Sequence, residues 1–146
     1  MILSLISLIL NPLLVFNNII IYSTILSLVL IYKPNNKIEH LVISTILGIL
    51  YNIFYCNNIF DIFIYPMLSI IIDYYFSYKK YNLKNVIIIS MFIIFIYNTI
   101  KFVFLRIISV STYSYIYFLT NLTFIYLVNI VYVSLLYIFI KNLKKS

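Results

Sequence analysis

Only four carboxylates and imidazoles occur in this chain of 146 residues, and these side-chain types usually move protons or hold metal ions: Glu39, His40, Asp61 and Asp73. Glu39 and His40 stand at the predicted start of a helix, where a carboxylate faces the positive helix end and an imidazole lies at headgroup level. A proton relay needs a second ionisable partner within that span, and the sequence places none there. We therefore predict capping and interfacial roles for this pair.

The two aspartates belong to one predicted span. Asp73 lies about a turn and a half before Lys79 and Lys80, so we expect its carboxylate to reach those lysines, with a functional contact as the alternative. Asp61 begins the same span on the outer side, where an exposed carboxylate at a helix start is common. Both aspartates are candidate contacts for a partner.

Enzyme motifs are missing from the sequence. Patterns such as HExxH, CxxC and GxGxxG need repeated His, Cys or Gly, and the chain has one residue of each type. We therefore predict a protein that is not an enzyme and that has no catalytic residue, no metal site and no cofactor.

The elements that would position these side chains are predicted to be membrane helices. Hydrophobic residues make up 65% of the chain and charged residues 9%, a balance far from that of soluble proteins. At about 20 residues per crossing, helices use up nearly the whole chain. We predict an all-α integral membrane protein with a single transmembrane domain, 1–146. The predicted bundle has six helices, over residues 2–16, 19–32, 38–55, 59–78, 86–108 and 115–140.

Residues 2–32 admit two interpretations. Two adjacent amides, Asn17 and Asn18, would be costly at the bilayer centre, so a turn between two short spans is favoured there. One long tilted helix, which gives five spans in all, is the alternative.

Lysines set the predicted orientation. Because basic loops stay on the cytoplasmic side, three lysine-bearing breaks between apolar stretches are predicted to face the cytoplasm, together with the C-terminus. Their spread over three loops argues against a nucleic acid partner despite the net charge of +7. The breaks hold eight of the ten basic residues, namely Lys33, Lys37, Lys79, Lys80, Lys84, Lys141, Lys144 and Lys145.

The other two basic residues, Lys101 and Arg106, lie near the outer end of the fifth predicted span. Long basic side chains at that level can extend to the headgroups, so we predict that they anchor the helix. The alternative is that they meet the acidic surface of a partner, or Asp61, at the outer face.

Helix packing is the clearest signal inside the spans. Ser44, Gly48 and Asn52 recur every four residues, which places small and polar side chains on one helix face. Gly48 is the only glycine, and it is predicted to mark a close helix crossing. Further hydrogen bonds between helices are predicted for Asn98, Asn129 and Tyr132.

Three stretches carry a resemblance to a known family. Residues 47–55 read LGILYNIFY and are followed by Asn57, residues 83–90 read LKNVIIIS, and residues 129–132 read NIVY. Together they resemble MreD, the rod shape-determining membrane protein family, in its low-GC Gram-positive form. Asn52 stands where that family commonly has Asp, and Phe60 and Asp61 follow the turn in place of the usual Gly and Asn.

The resemblance implies a role without enzymatic chemistry. MreD-like proteins belong to the cell-elongation machinery, so the implied partners are an MreC-like protein and cell-wall synthases, with MreB filaments indirectly and membrane lipid around the bundle. The implied mechanism is a membrane scaffold that regulates cell shape and lateral peptidoglycan synthesis. A fold similar to the substrate-binding subunits of energy-coupling-factor transporters is also implied, and a vitamin-binding subunit of that type is the alternative function.

Overall fold

The computed structural model describes the backbone of residues 5–7, 9, 15–16, 19–55, 60–107 and 115–143, with side chains described over 5–7, 9, 21–54, 60–104 and 124–142. Residues 5–7 and 9 are helical. Two short strands and five helices follow: β1 (Val15–Phe16), β2 (Ile19–Ile20), α1 (Ser23–Ile31), α2 (Lys37–Tyr55), α3 (Phe60–Tyr78), α4 (Leu83–Ile107) and α5 (Tyr115–Leu143).

The four long helices are each long and apolar enough to cross a membrane. Their apolar windows are Lys37–Phe54, Phe60–Tyr78, Leu83–Phe104 and Phe124–Asn142. The rest of the described chain consists of the short helical segments near its start, the two-residue strands, which pair antiparallel, and short turns and connections. The prediction of an all-α membrane protein is therefore confirmed. Within the described residues, four helices meet this criterion, whereas the sequence predicted six or five.

The region of the first two predicted spans has a different structure. The predicted span 19–32 is divided between β2 and α1, and α1 has nine residues. A helix of that length rises about 14 Å, less than half of the hydrocarbon thickness. The predicted span 2–16 lies mostly outside the described residues, as do Asn17 and Asn18, although Val15 pairs with Ile20 and Phe16 with Ile19 on either side of that pair.

Helix α1 lies at the centre of the bundle. It contacts all four long helices, and every residue from Ser23 to Leu30 is buried. A helix that is apolar on all sides needs an apolar environment on all sides, and here protein rather than lipid supplies it. Irregular backbone at the ends of such a segment is tolerated in a membrane only where the protein satisfies its polar groups.

Helices α2 and α3 form the most extensive pair, and α4 packs along α5. The first pair runs antiparallel, since the start of α2 meets the end of α3 through Lys37 and Asp73, and Gly48 of α2 meets Asp61 near the start of α3. All of the lysine-bearing ends of the helices consequently lie at one end of the bundle, which we call the lysine end.

Candidate functional site

The start of α1 is joined to α4 and α5 by Tyr22. Its backbone N–H donates to Asn129 Oδ1 at 2.9 Å, and its hydroxyl donates to Asn98 Oδ1 at 2.6 Å. Each asparagine uses its Nδ2 group to donate to a carbonyl of its own helix, Ile94 for Asn98 and Ile125 for Asn129.

Next to Tyr22, a second contact joins α3 and α4. Tyr97 donates its hydroxyl hydrogen to Asp61 Oδ1 at 3.0 Å, and its ring meets that of Tyr22 edge to face, with centroids 5.6 Å apart. The expectation of an exposed Asp61 is wrong, because the residue is only 4% exposed. Packing of the start of α3 against α4 removes water from the carboxylate, and the Tyr97 hydroxyl takes the place of a water donor.

Of the two cations predicted at the outer end of the fifth span, Lys101 lies beside Tyr97. The Nζ of Lys101 lies 5.8 Å from the centroid of the Tyr97 ring, within the range of a cation–π contact. The ring beneath Lys101 is therefore the one whose hydroxyl contacts Asp61. This position agrees with the alternative interpretation, in which Lys101 meets Asp61. The side chain of Arg106 lies outside the described residues.

At the other end of α1, side chains from two segments satisfy its last carbonyls. His40 donates from Nε2 to the Leu28 carbonyl at 2.8 Å, while its Nδ1 accepts from the Ser69 hydroxyl at 2.6 Å. Tyr81 donates to the Leu30 carbonyl at 3.1 Å, with the Val29 carbonyl at 3.3 Å. The final carbonyls of a helix have no partner within the helix, so these contacts allow α1 to end inside the protein.

His40 was predicted to lie at headgroup level, and its depth in a membrane stays a prediction. Its side chain is only 3% exposed, so its partners are other residues of the bundle. The two hydrogen bonds fit a neutral ring with its hydrogen on Nε2. Ser69 belongs to α3, so this hydrogen bond joins His40 of α2 to the neighbouring helix. Glu39 remains exposed and accepts a hydrogen bond from Asn36 at 2.6 Å in the first turn of α2.

Asp73 binds different residues from those predicted. Its Oδ1 accepts from the Tyr32 hydroxyl at 2.9 Å, and its Oδ2 lies 3.1 Å from Lys37 Nζ. The prediction of pairing with Lys79 and Lys80 is wrong because the antiparallel packing of α2 on α3 brings Lys37 closer. The lysine is half exposed, so the ion pair contributes about 0 to 1 kcal/mol.

Gly48 lies at a close approach of α2 to α3. A Cβ at this position would be 2.8 Å from the Asp61 carbonyl oxygen and 3.2 Å from the Ile62 Cα. Ser44 is buried on the same face and donates to the Leu41 carbonyl of its own helix. Asn52 Nδ2 is buried and has no partner within the described part of the chain. Tyr132 is half-buried and packs against the core.

Two of the clefts at the lysine end are lined by Tyr81. One cleft has a volume of about 310 Å³ and lies between Pro34 and the Lys79–Lys80 pair. The other has a volume of about 160 Å³ and lies beside Leu30, with Lys141 at its edge. The structure therefore brings all three lysine-bearing breaks to one end of the bundle. No group of three or more His, Cys, Asp or Glu residues that could hold a metal ion occurs within the described ranges.

Sequence reasoning missed the tyrosines that organise these contacts. Tyr22 and Tyr32 flank α1, Tyr81 lies in a lysine-bearing break, and Tyr97 lies within α4. With 16 tyrosines in the chain, the residue type carries little information by itself. The usable signal was position, because a tyrosine beside a helix end can bury its ring and still donate to a carbonyl or carboxylate.

These features define a class, that of small helical membrane proteins in which a short helix is enclosed by four long ones. Comparison with known proteins adds no family to this description, as no family model, curated protein or solved structure matches the chain.

Proposed function

We propose that this protein is a non-enzymatic membrane component of the bacterial cell-elongation machinery. In this role it would regulate cell shape and lateral peptidoglycan synthesis by holding an MreC-like protein and cell-wall synthases together, with MreB filaments as an indirect partner. The proposal rests on the resemblance of residues 47–57, 83–90 and 129–132 to the MreD family. It also includes placement in the cell membrane with the lysine end and the C-terminus in the cytoplasm.

The observation that supports a scaffold most directly is the use of polar groups within the bundle. His40, Asp61 and Asp73, the side chains best suited to chemistry, each bond to other residues of the chain. Buried polar contacts of this kind hold helices in one arrangement. A fixed arrangement of helices is what a protein needs if it is to present the same surfaces to several partners.

The outward surfaces of the bundle suit contacts within the membrane. Only 17% of the apolar window of α5 and 22% of that of α2 is buried inside the protein. On α5 the exposed face consists of large apolar side chains, namely Phe124, Leu127, Val131, Leu135, Ile138 and Phe139. We assign this face to lipid and to the membrane helices of the proposed partners.

Two finer expectations, the first from the apolar stretches and the second from the resemblance, stay predictions. One is a bundle of six membrane spans, for which four long helices are described. The other is a fold similar to the substrate-binding subunits of energy-coupling-factor transporters. The vitamin-binding function that this second expectation brings with it is an outcome of the experiment below.

Depletion of the protein in the cell that encodes it tests the proposed function. We expect rod-shaped cells to widen and round, and a fluorescent D-amino acid to be lost from the lateral wall while septal labelling persists. Expression of the wild-type chain should restore both. Normal cell shape after depletion would contradict the proposal, and loss of vitamin uptake in the same cells would assign the chain to transport.

Physical association provides a second test. The tagged chain, extracted in mild detergent, should co-purify with the MreC-like protein of the same cell. Leu127→Lys and Leu135→Lys place charges on the exposed face of α5, and they should weaken co-purification if that face holds the partner. The matched control is Lys84→Gln, an exposed change at the lysine end. Equal co-purification of every variant would remove the α5 face from the proposal.

A further inference from the structure

The lysine end has an excess of positive charge that the described chain does not neutralise. Its two described carboxylates are both engaged, Asp73 by Lys37 and Tyr32, and Glu39 by Asn36. The remaining lysines of this end are exposed and form no ion pair within the described part of the chain. They are Lys33, Lys79, Lys80, Lys84 and Lys141.

Three of these lysines line clefts. Lys79 and Lys80 line the 310 Å³ cleft, and Lys141 lines the 160 Å³ cleft. The Tyr81 ring belongs to the walls of both, so one aromatic side chain lies between two groups of cations that are about 60 residues apart in the sequence. Lys33 and Lys84 carry the same charge on the same end of the bundle, but neither lines either cleft.

The lining changes from cationic to apolar within a short distance. Beside Lys141, the smaller cleft is lined by Leu30, Tyr137 and Ile140, all of which belong to or pack against the apolar core. The apolar window of α3 ends at Tyr78, directly before Lys79, and that of α5 ends at Asn142, directly after Lys141. These cations are therefore at the depth of lipid headgroups, and the apolar lining is at the depth of the first acyl carbons.

The wall between the clefts is fixed in place. The Tyr81 hydroxyl donates to the Leu30 carbonyl, and its ring packs 5.0 Å from that of Phe76 and 5.9 Å from that of Tyr137. Burial raises the pKa of Tyr81, so the hydroxyl stays protonated and keeps this bond. A ligand that enters either cleft meets a surface that needs no rearrangement, which lowers the cost of binding.

We propose that this part of the lysine end is a binding site for an anionic phospholipid. The headgroup lies across Tyr81, which separates the two clefts, so that the phosphate meets the Lys79–Lys80 pair from one cleft and Lys141 from the other. One acyl chain lies in the smaller cleft against Leu30, Tyr137 and Ile140. Basic pockets between membrane helices on the cytoplasmic side are suited to acidic headgroups, and each lysine close to such a surface strengthens binding. The site is independent of the proposed role in cell elongation, because it is argued from charge, depth and cleft lining alone.

Native mass spectrometry of the purified, delipidated chain tests the site with phosphatidylglycerol as the probe and phosphatidylcholine of the same acyl chains as the neutral comparison. We expect phosphatidylglycerol to be retained at least tenfold better. The double variant Lys79→Gln/Lys80→Gln should lose roughly tenfold or more in affinity, and Lys141→Gln roughly fivefold. These residues are exposed, so the variants are expected to fold, and an unchanged melting temperature verifies it.

The matched control is Lys33→Gln/Lys84→Gln. It also removes two positive charges from the lysine end, but neither residue lines either cleft. We expect this variant to lose less than threefold in affinity. Equal losses in the two double variants would mean general attraction of lipid to a basic surface and would overturn the site. Unchanged affinity in the variant of Lys79 and Lys80 would overturn it as well.

Two competitors identify the source of the bound phosphate. Soluble glycerol phosphate, which has no acyl chain, should fail to displace phosphatidylglycerol at equal concentration. Displacement by glycerol phosphate would show that the apolar lining contributes nothing. An acidic peptide that displaces the lipid and depends on the same lysines would assign the clefts to a protein segment and overturn the proposal.

Discussion

The backbone N–H of Tyr22 donates to Asn129 Oδ1 over 2.9 Å, a contact that joins the residue before α1 to the middle of α5. The first amides of a helix have no partner within it, and in a membrane interior water is not there to replace one. Asn129 is fully buried, so its amide group is a specific support for the start of α1. The contact explains how a helix too short to span the membrane can begin inside the bundle.

Removal of this support should destabilise the protein. Asn129→Leu keeps the approximate volume but leaves the Tyr22 amide without its acceptor, which costs about 1 to 3 kcal/mol. Thermal unfolding in detergent should show a lower melting temperature. The control is Ser134→Ala on the same helix, whose hydroxyl bonds only to the Ile130 carbonyl within α5. If both variants unfold at the same temperature, the Tyr22 contact is not a support of α1.

The approach of α2 to α3 at Gly48 should tolerate no added methyl group. In Gly48→Ala the new Cβ would lie 2.8 Å from the Asp61 carbonyl oxygen, which is backbone and cannot rotate away. The helices must separate, at a cost of about 1 to 3 kcal/mol. Ile49→Ala, at an exposed position one residue further on, should change the melting temperature much less. A Gly48→Ala variant as stable as the wild type would contradict the close approach.

Loss of the Tyr22 hydroxyl should weaken the contact between the start of α1 and α4. Tyr22→Phe removes the donor to Asn98 Oδ1 at 2.6 Å and keeps the ring that meets Tyr97 edge to face. The amide oxygen is left without this donor, which costs about 1 to 3 kcal/mol. Thermal unfolding in detergent should show a lower melting temperature, and a Tyr22→Phe variant as stable as the wild type would contradict the role of this contact.

The control for this variant is Tyr78→Phe, which removes an exposed phenol hydroxyl from the end of α3. Its melting temperature should equal that of the wild type. Equal losses in the two variants would mean that removal of any phenol hydroxyl, and not the Asn98 contact, lowers the stability.

The common position of the lysine-bearing breaks predicts a labelling pattern. Single cysteines at positions 33, 79 and 141, introduced in a Cys56→Ser background, should react with a membrane-impermeant maleimide only after the cells are permeabilised. A cysteine at position 57, in the connection between α2 and α3, should react in intact cells because that connection lies at the opposite helix ends. Reaction of any of the first three in intact cells would contradict the orientation of the lysine end.

The long helices were predictable because each is a long apolar stretch bounded by charged or polar breaks. Predicted spans at 38–55, 59–78, 86–108 and 115–140 lie over α2 to α5. Residues 19–32 were read as a span for the same reason, since an apolar segment enclosed by protein and one enclosed by lipid have similar composition. The length of the helix separates the two cases, because α1 has nine residues and is too short to span a membrane. The apolar run in the sequence, however, does not show at which residue its helix begins.

The candidate contacts were less accessible to sequence reasoning than the helices. Asp73 was assigned to Lys79 and Lys80 because they are near in sequence, whereas Lys37 is 36 positions away and close in space. Asp61 was placed at an exposed helix start, and it is buried by neighbouring helices. A single sequence gives the spacing of residues along each helix. It does not show which helix faces which, and both errors have this cause.

The sequence by itself determined that the chain is a helical membrane protein, because its apolar runs and lysine breaks follow from the solvent preferences of individual side chains. The tertiary structure alone decided that α1 is enclosed by the other helices and that Tyr22, His40 and Tyr81 satisfy its ends. It also decided that the Lys79–Lys80 pair and Lys141 line clefts on either side of Tyr81. These features depend on which helix faces pack together, and that is settled by the sum of many small packing and hydrogen-bond terms over the whole bundle.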